Sequence, residues 1–363
     1  MAQTGTVIPQ GLNLRATPGG TIIKVLTEGA SVEIVADQGA FLEVNVDGLT
    51  GFVAAQFIKR GAPAGGGGGS FHFKGNSAVA PDGTVFGKKF KLGIFNNGTT
   101  SIGDFVKANQ SAFPSLSPSR LHVMSAVSVN EGKLEAINTF DNAFLTFGCF
   151  QWTVGAADGA GELPAMVNQL KQADANAFNQ LLGQFGLDVA SVSSPAGQPP
   201  RGFFSLHGAV VKTPADKGQK LRTLEMAFRF FRAGQDDAMR KVEIEYAASR
   251  IDLFYRDATH KIRNQFIGDF VSSEFGVALI LDEHVNRPGH VPGTLAAAVD
   301  KFINSTGKTD PTTWTDQDEA SVLNSYIKIR NGTSMTDSQA RADRIRQAVA
   351  NGLASDKRGS FQP

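Results

Sequence analysis

The residues with the most chemical promise lie in the run Val129-Asn-Glu-Gly-Lys-Leu-Glu-Ala-Ile-Asn-Thr-Phe-Asp-Asn-Ala-Phe-Leu-Thr-Phe-Gly-Cys-Phe-Gln-Trp-Thr153. A helix with an apolar face runs into Asn130-Glu131, and Gly132 is a natural stop, because glycine readily takes the left-handed conformation that closes a helix. Glu131 then sits at the negative end of the helix dipole, behind apolar side chains. Both effects disfavour the carboxylate and raise its pKa, which is what a general acid working near neutral pH needs. An exposed Glu at a fraying helix end fits the same position. Downstream, residues 134–137 and 143–150 read as two strands meeting at Asp141-Asn142, a turn-forming pair. A hairpin placed there brings Asp141 and Thr146 back over Glu131, although Asp141 also has a plain reading as a turn residue. Cys149, the single cysteine, reads as a buried and inert thiol.

A second polar cluster is Asp282-Glu-His-Val-Asn-Arg-Pro-Gly289, at the end of the most apolar helical stretch. Asp282 and Asn286 lie four residues apart on one face, so they either line a cleft or cap the helix, with Arg287 as an ion-pair partner. Asp282, His284 and His290 match no standard metal-ligand spacing, and no metal or cofactor is expected. His72, His122, His207 and His260 carry no signal. There is no P-loop, no glycine-rich dinucleotide fingerprint and no nucleophile elbow.

The elements that must position these residues are mostly helical. Ser117-Pro118 is a good N-cap and first-turn pair for a helix over 120–129, with Leu121, Met124 and Val127 on one face. Further helices are expected over 163–185, with Asp174 as a cap, and over 221–231 and 236–255. The stretch 275–281, behind Ser272 or Ser273, is apolar all round and should be a central buried helix. Helices over 294–303, 315–330 and 336–353 complete the set, the last two opened by Thr caps. Strand-like sequence at 71–73 and 84–95 precedes all of these. The expected architecture is a mainly helical unit with a small β component over 71–363.

Before it lies a different kind of sequence. Residues 12–15, 22–26, 31–35 and 41–46 are short alternating or β-branched runs punctuated by Pro18-Gly-Gly20, Glu28-Gly29 and Asp47-Gly48. That spacing implies a small all-β barrel over 1–60. Between the two units, 61–70 holds five consecutive glycines, Gly65–Gly69, and reads as a flexible spacer reaching about 15–20 Å on average. With 35 Lys+Arg against 34 Asp+Glu in 363 residues, the chain has no basic footprint for nucleic acid. No run of about 18 apolar residues suggests a membrane span. Met1-Ala-Gln-Thr-Gly5 has neither a basic nor an apolar segment, so no secretory signal is read there.

Gly11-Leu-Asn-Leu-Arg-Ala-Thr-Pro-Gly19, Leu26-Thr-Glu-Gly-Ala-Ser-Val32 and Gly48-Leu-Thr-Gly-Phe-Val53 together resemble a bacterial SH3-like domain. The resemblance implies a module that binds cell-wall material or serves as a spacer; Phe41 and Phe52 stand where that family often carries Trp. In the second unit, Glu131-Gly132, Asp141 and Thr146, at +10 and +15 from the Glu, resemble the catalytic spacing of phage-type lysozymes. Gly148-Cys-Phe-Gln151 resembles the Gly-x-x-Gln motif of lytic transglycosylases and chitosanase-like enzymes. The string as a whole is similar to phage-endolysin and secreted-effector muramidase domains.

The resemblance implies a lysozyme-like fold and a peptidoglycan hydrolase in which Glu131 protonates the glycosidic oxygen. Asp141 would position the attacking water or stabilise the transition state, and Thr146 would help to hold that water. Asn138, Gln151, Trp152, Phe147, Asp282 and Asn286 would contact the glycan, with core packing an equal reading for the Phe residues. Peptidoglycan is the implied partner, reached after phage lysis or through a dedicated secretion system, or by secretion if a signal is missing from this chain. An immunity protein is implied as a further partner if the chain is a secreted effector. A lytic transglycosylase, a chitosanase or a non-catalytic wall-binding or phage structural protein are the competing readings.

Overall fold

The computed structural model describes residues 3–46, 48–63 and 70–363. The expected spacer 61–70 falls largely outside the described residues, its run 64–69 entirely so. The chain divides into two compact units, Met1–His72 with Val79–Val85, and Phe73–Ala78 with Phe86–Pro363.

In the first unit β1 (Gln3–Val7), β2 (Gly11–Arg15), β3 (Ile22–Thr27), β4 (Ser31–Asp37), β5 (Phe41–Val46), β6 (Leu49–Ala54) and β7 (Ile58–Pro63) form one sheet. Its order is β3-β2-β6-β5-β4-β1-β7, with every pairing antiparallel. Alternation drives it: Leu12 and Leu14, Val32 and Ile34, and Leu42, Val44 and Val46 point into one core, while their neighbours are more exposed. Each such side chain contributes about 1.5–3 kcal/mol when fully buried. Packing between β1 and β7 is tight: a Cβ on Gly5 would lie 2.4 Å from Ile58 Cγ2 on the paired strand. Strands β2 to β5 match the four expected runs closely; β1, β6 and β7 have no counterpart among those runs.

The chain continues through β8 (His72–Lys74), β9 (Ser77–Val79), β10 (Val85–Phe90) and β11 (Gly93–Asn96). A second sheet runs in the order β14-β13-β12-β11-β10-β9-β8, where β12 is Ile137–Asn138, β13 Thr146–Phe147 and β14 Trp152–Thr153. A third comprises β15 (Leu187–Ser193), β16 (Arg201–Leu206) and β17 (Ala209–Val210), and the sequence reading had no counterpart for it. The rest is helical: α1 (Ile102–Ala108), α2 (Pro118–Val127), α3 (Glu162–Ala173), α4 (Ala175–Leu181), α5 (Pro214–Asp216), α6 (Leu224–Ala233), α7 (Asp237–Ser249), α8 (Ile267–Phe270), α9 (Glu274–Asn286), α10 (Val291–Thr306), α11 (Asp316–Asn331) and α12 (Ser338–Ala350).

The expected caps account for most of these starts. Ser117 Oγ accepts from the Arg120 N–H with Pro118 in the first turn, Asp174 caps α4, and Thr315 with Asp318 forms a capping box on α11. Ser273 caps α9, whose residues Val277 to Leu281 are wholly buried between α2, α10 and α12. The last helix departs from expectation: Asp337, not Thr336, occupies the N-cap, at φ 51° and with no side-chain bond to the helix.

The expected two-stranded hairpin over 134–150 is a correction of a different kind. Within it only the two-residue strands β12 and β13 pair, with β14 added just beyond, because side chains and left-handed residues interrupt the ladder. Asn138 Oδ1 accepts from the Phe140 N–H and Asp141 Oδ1 from the Ala143 N–H, each at 2.9 Å. Phe144, Gly148 and Gln151 all have positive φ. Local side-chain bonds of this kind compete directly with strand pairing.

Candidate active site

Helix α2 buries Leu121, Val123, Met124, Ala126 and Val127, tightens into a 3-10 turn over Ser128–Asn130, and ends at Glu131. Gly132 serves the helix end in a way other than the expected one. Its φ is not left-handed; its N–H donates to Cys149 O at 2.7 Å, and a Cβ would lie 2.9 Å from Gln151 Nε2. The helix end is thus clamped against the turn 148–151. That turn rests on Glu243 of α7, whose Oε2 accepts from the Cys149 N–H at 3.1 Å. Burial pushes the Glu243 carboxyl far up its range and does the same to the Cys149 thiol, as expected of an inert cysteine.

The Glu131 side chain is only 8% exposed and its Oε1 accepts from Arg341 Nη2 of α12. Arg341 is shared. Its Nε and Nη2 also donate to Asp282 Oδ1, at 3.0 and 2.6 Å, and its Nη1 donates to Asn130 O at 3.1 Å. Asp282 takes a second guanidinium, Arg330 Nη1 at 3.0 Å on Oδ2, and the Asn130 amide at 3.1 Å. Two carboxylates therefore compete for one arginine, and Asp282 holds the better share of it. Burial raises the Glu131 pKa to about 7; the Arg341 charge works against that shift and the Asp282 charge adds to it. Burial wins because taking a carboxylate out of water costs more than one shared ion pair returns.

Glu131 opens onto a cavity of about 580 Å³, with Asn138, Gln151, Gly132, Lys133, Asn97, Phe90, Phe95 and Phe140 on its walls. The structure thus brings Glu131, Asn138 and Gln151 together. Asp141 is not on the wall. Its Oδ2 accepts from Asn138 Nδ2 at 2.9 Å and its Oδ1 closes the 141–143 turn, so it orients Asn138. Thr146 is buried, and its Oγ1 has no hydrogen-bond partner among the described residues.

Four expected glycan contacts are corrected. Phe147 and Trp152 are 0% and 2% exposed and pack on Phe230 and Tyr246 respectively, so they belong to the core. Asp282 is wholly buried as the partner of two arginines, and Asn286 donates to Asp282 O at 2.8 Å as a helix-end bond. Neither lines the cavity, because the buried face of α9 turns Asp282 inward beneath Glu131. Near Asp282, His284 is wholly buried and His290 exposed. Among the described residues no group of three or more His, Cys, Asp or Glu side chains could hold a metal ion.

Residues 10–59 match the family described as Bacterial SH3 domain. The N-terminal unit carries a bacterial SH3 domain. No curated protein and no solved structure matches the chain. Among the described residues no helix is long and apolar enough to cross a membrane.

Proposed function

We propose that this chain is a peptidoglycan glycan-strand hydrolase, with a lysozyme-like helical unit over 71–363 and Glu131 as its general acid. The observation that carries the reading is one carboxyl group, buried at a helix end, with a pKa raised to about 7 and facing an open cavity. Such a group holds its proton at mildly acidic to neutral pH and can pass it to a leaving oxygen. In the reaction, Glu131 gives its proton to the glycosidic oxygen between N-acetylmuramic acid and N-acetylglucosamine as the C1–O bond breaks. Asn138, held by Asp141, and Gln151, held by its bond to Gly148 O at 2.8 Å, orient the sugar and the water that completes hydrolysis. Asp282 and Arg341 act indirectly, by fixing the Glu131 side chain. The SH3 domain would hold the enzyme on insoluble wall, and delivery through phage lysis or a secretion system fits that substrate.

One observation favours a second reading, a lytic transglycosylase. Among the described residues Glu131 supplies the only carboxylate on the cavity wall, whereas hydrolysis by a pair of carboxylates needs both beside the scissile bond. A single Glu suffices when the muramyl C6 hydroxyl attacks C1 in place of water. Digestion of purified peptidoglycan followed by mass spectrometry tests both readings. Reducing muramyl ends support the hydrolase, anhydro-muramyl ends the transglycosylase. Protein that sediments with wall yet releases no muropeptides would instead be a non-catalytic wall binder.

A further inference from the structure

The wall of the cavity away from Glu131 is aromatic. Phe90 and Phe95 come from the β10–β11 hairpin and Phe140 from the turn before Asp141. Phe90 meets Phe140 edge to face, with ring centroids 4.7 Å apart at 83°, and meets Phe95 at 5.9 Å and 85°. These rings are not core rings. Phe90 is 42% exposed, whereas Phe86 on the same strand and Phe147 on β13 are fully buried. An aromatic cluster left open on a cavity wall forgoes part of the stabilisation that full burial would bring. Edge-to-face packing keeps the cluster rigid and fixes its electron-rich faces. Those faces already attract a cation: Lys91 Nζ lies 5.4 Å from the Phe90 centroid and 5.9 Å from that of Phe140.

We infer that Phe90 and Phe140, two rings at right angles braced by Phe95, form an aromatic platform on which one of the two ring faces stacks one saccharide ring of the glycan strand. The inference rests on the reading of Glu131 as the acid of a glycan-cleaving site and assigns the ring position beside it. One face of a pyranose presents axial C–H groups, which carry the same partial positive sign as the lysine ammonium and pack on an aromatic face. The polar groups of the same cavity suit the rest of an N-acetylated sugar. Asn138 is oriented by its bonds to Asp141 Oδ2 and the Phe140 N–H, and Gln151 by its bond to Gly148 O. An apolar wall with a few fixed amides is the usual design of a small-ligand pocket. The platform and Asn138 are linked through one turn, because Phe140 supplies both a ring and the N–H that holds the Asn138 oxygen.

The test uses the full chain and soluble glycan strands stripped of their peptides by an amidase. Phe90→Leu and Phe140→Leu keep apolar volume and remove the aromatic face; Phe90→Trp and Phe140→Trp restore one. For cleavage, the Leu variants should raise KM at least 10-fold with kcat changed less than 3-fold, and the Trp variants should return KM towards the parent value. In the Glu131→Gln background, which does not cleave, affinity for the same strands should fall by a similar factor in the Leu variants. Folded Leu variants with parental KM and affinity would overturn the platform while leaving the glycan-cleaving reading intact. If the parent chain cleaves nothing, that reading fails by itself, and the binding measurement alone decides the platform.

Discussion

Replacing Glu131 by Gln should make the protein more stable at alkaline pH, and the size of the gain follows from the burial of that one side chain. The folded pKa is raised to about 7 from an ordinary value of 4.5. Below pH 4.5 the acid is protonated whether the chain is folded or not, and the isosteric amide should then differ from it by only about 0.5 kcal/mol. Between 4.5 and about 7 the unfolded chain releases the proton and the folded chain retains it. The folded state binds more protons, so parental stability falls as pH rises across that window. At about 1.4 kcal/mol for each of roughly 2.5 pH units, the parent loses about 3 kcal/mol by pH 8. The Gln variant has no proton to lose. Differential scanning calorimetry at pH 4.5, 6 and 8 should therefore give melting curves that coincide at the lowest pH. By pH 8 they should diverge by about 6 °C in favour of the variant. Parallel pH dependences would mean that Glu131 does not hold its proton in the folded protein. A variant less stable than the parent at pH 8 would mean that the Arg341 ion pair outweighs burial and holds Glu131 ionised.

Two substitutions and one deletion probe the surroundings. Asp282→Asn removes a negative neighbour and frees Arg341 for Glu131, so the Glu131 pKa should fall and the alkaline limb of the pH–rate profile should move to lower pH. The same change breaks a buried ion network and should cost about 3–5 kcal/mol in a urea melt. Gly132→Ala places a Cβ 2.9 Å from Gln151 Nε2 and 3.2 Å from Cys149 O, so the Gln151 amide must swing out of its place on the cavity wall and the 148–151 turn must give slightly. Its stability should drop by about 1–3 kcal/mol, with a loss of kcat seen in steady-state assays on soluble glycan strands. Deleting residues 1–60 should lower activity on insoluble wall while leaving cleavage of short soluble fragments near the parental rate; equal activity on both would reduce the SH3 domain to a spacer.

Glu131 was legible because its signals are local. Ser117-Pro118 opens the helix and the Glu131-Gly132 pair ends it, and both can be read within about four turns. The strands of the SH3 domain were legible for the same reason, since an alternating run such as 41–46 reports its own burial. What decides the electrostatics of Glu131 is not local. Arg341 stands 210 residues away in sequence, and nothing in the α12 pattern of Arg341, Arg344 and Arg346 points to a carboxylate on α2. The aromatic residues were misplaced by the same limit. Phe147 and Trp152 sit inside the motif and looked like walls of a sugar site, but an apolar run over 144–154 reads alike whether it faces a cavity or a core. Phe90 and Phe95 reach the cavity through the pairing of β11 with β12, a contact across about 40 residues that no spacing announces. The interrupted hairpin is hidden because the side chains of Asn138 and Asp141 bond to the backbone and to each other, a competition with strand pairing that alternation does not report.

If Glu131 gives the proton that breaks the glycan strand, Glu131→Gln should lose wall lysis. General acid catalysis contributes about 10²–10⁴-fold. Loss of turbidity of purified peptidoglycan, measured at pH 6 with parent and variant at equal concentration, should slow by at least about 100-fold while the circular dichroism spectra and wall sedimentation stay the same. A folded Glu131→Gln protein that lyses wall at near the parental rate would contradict the account, and with it the roles given to Asn138, Gln151 and the Asp282–Arg341 pair.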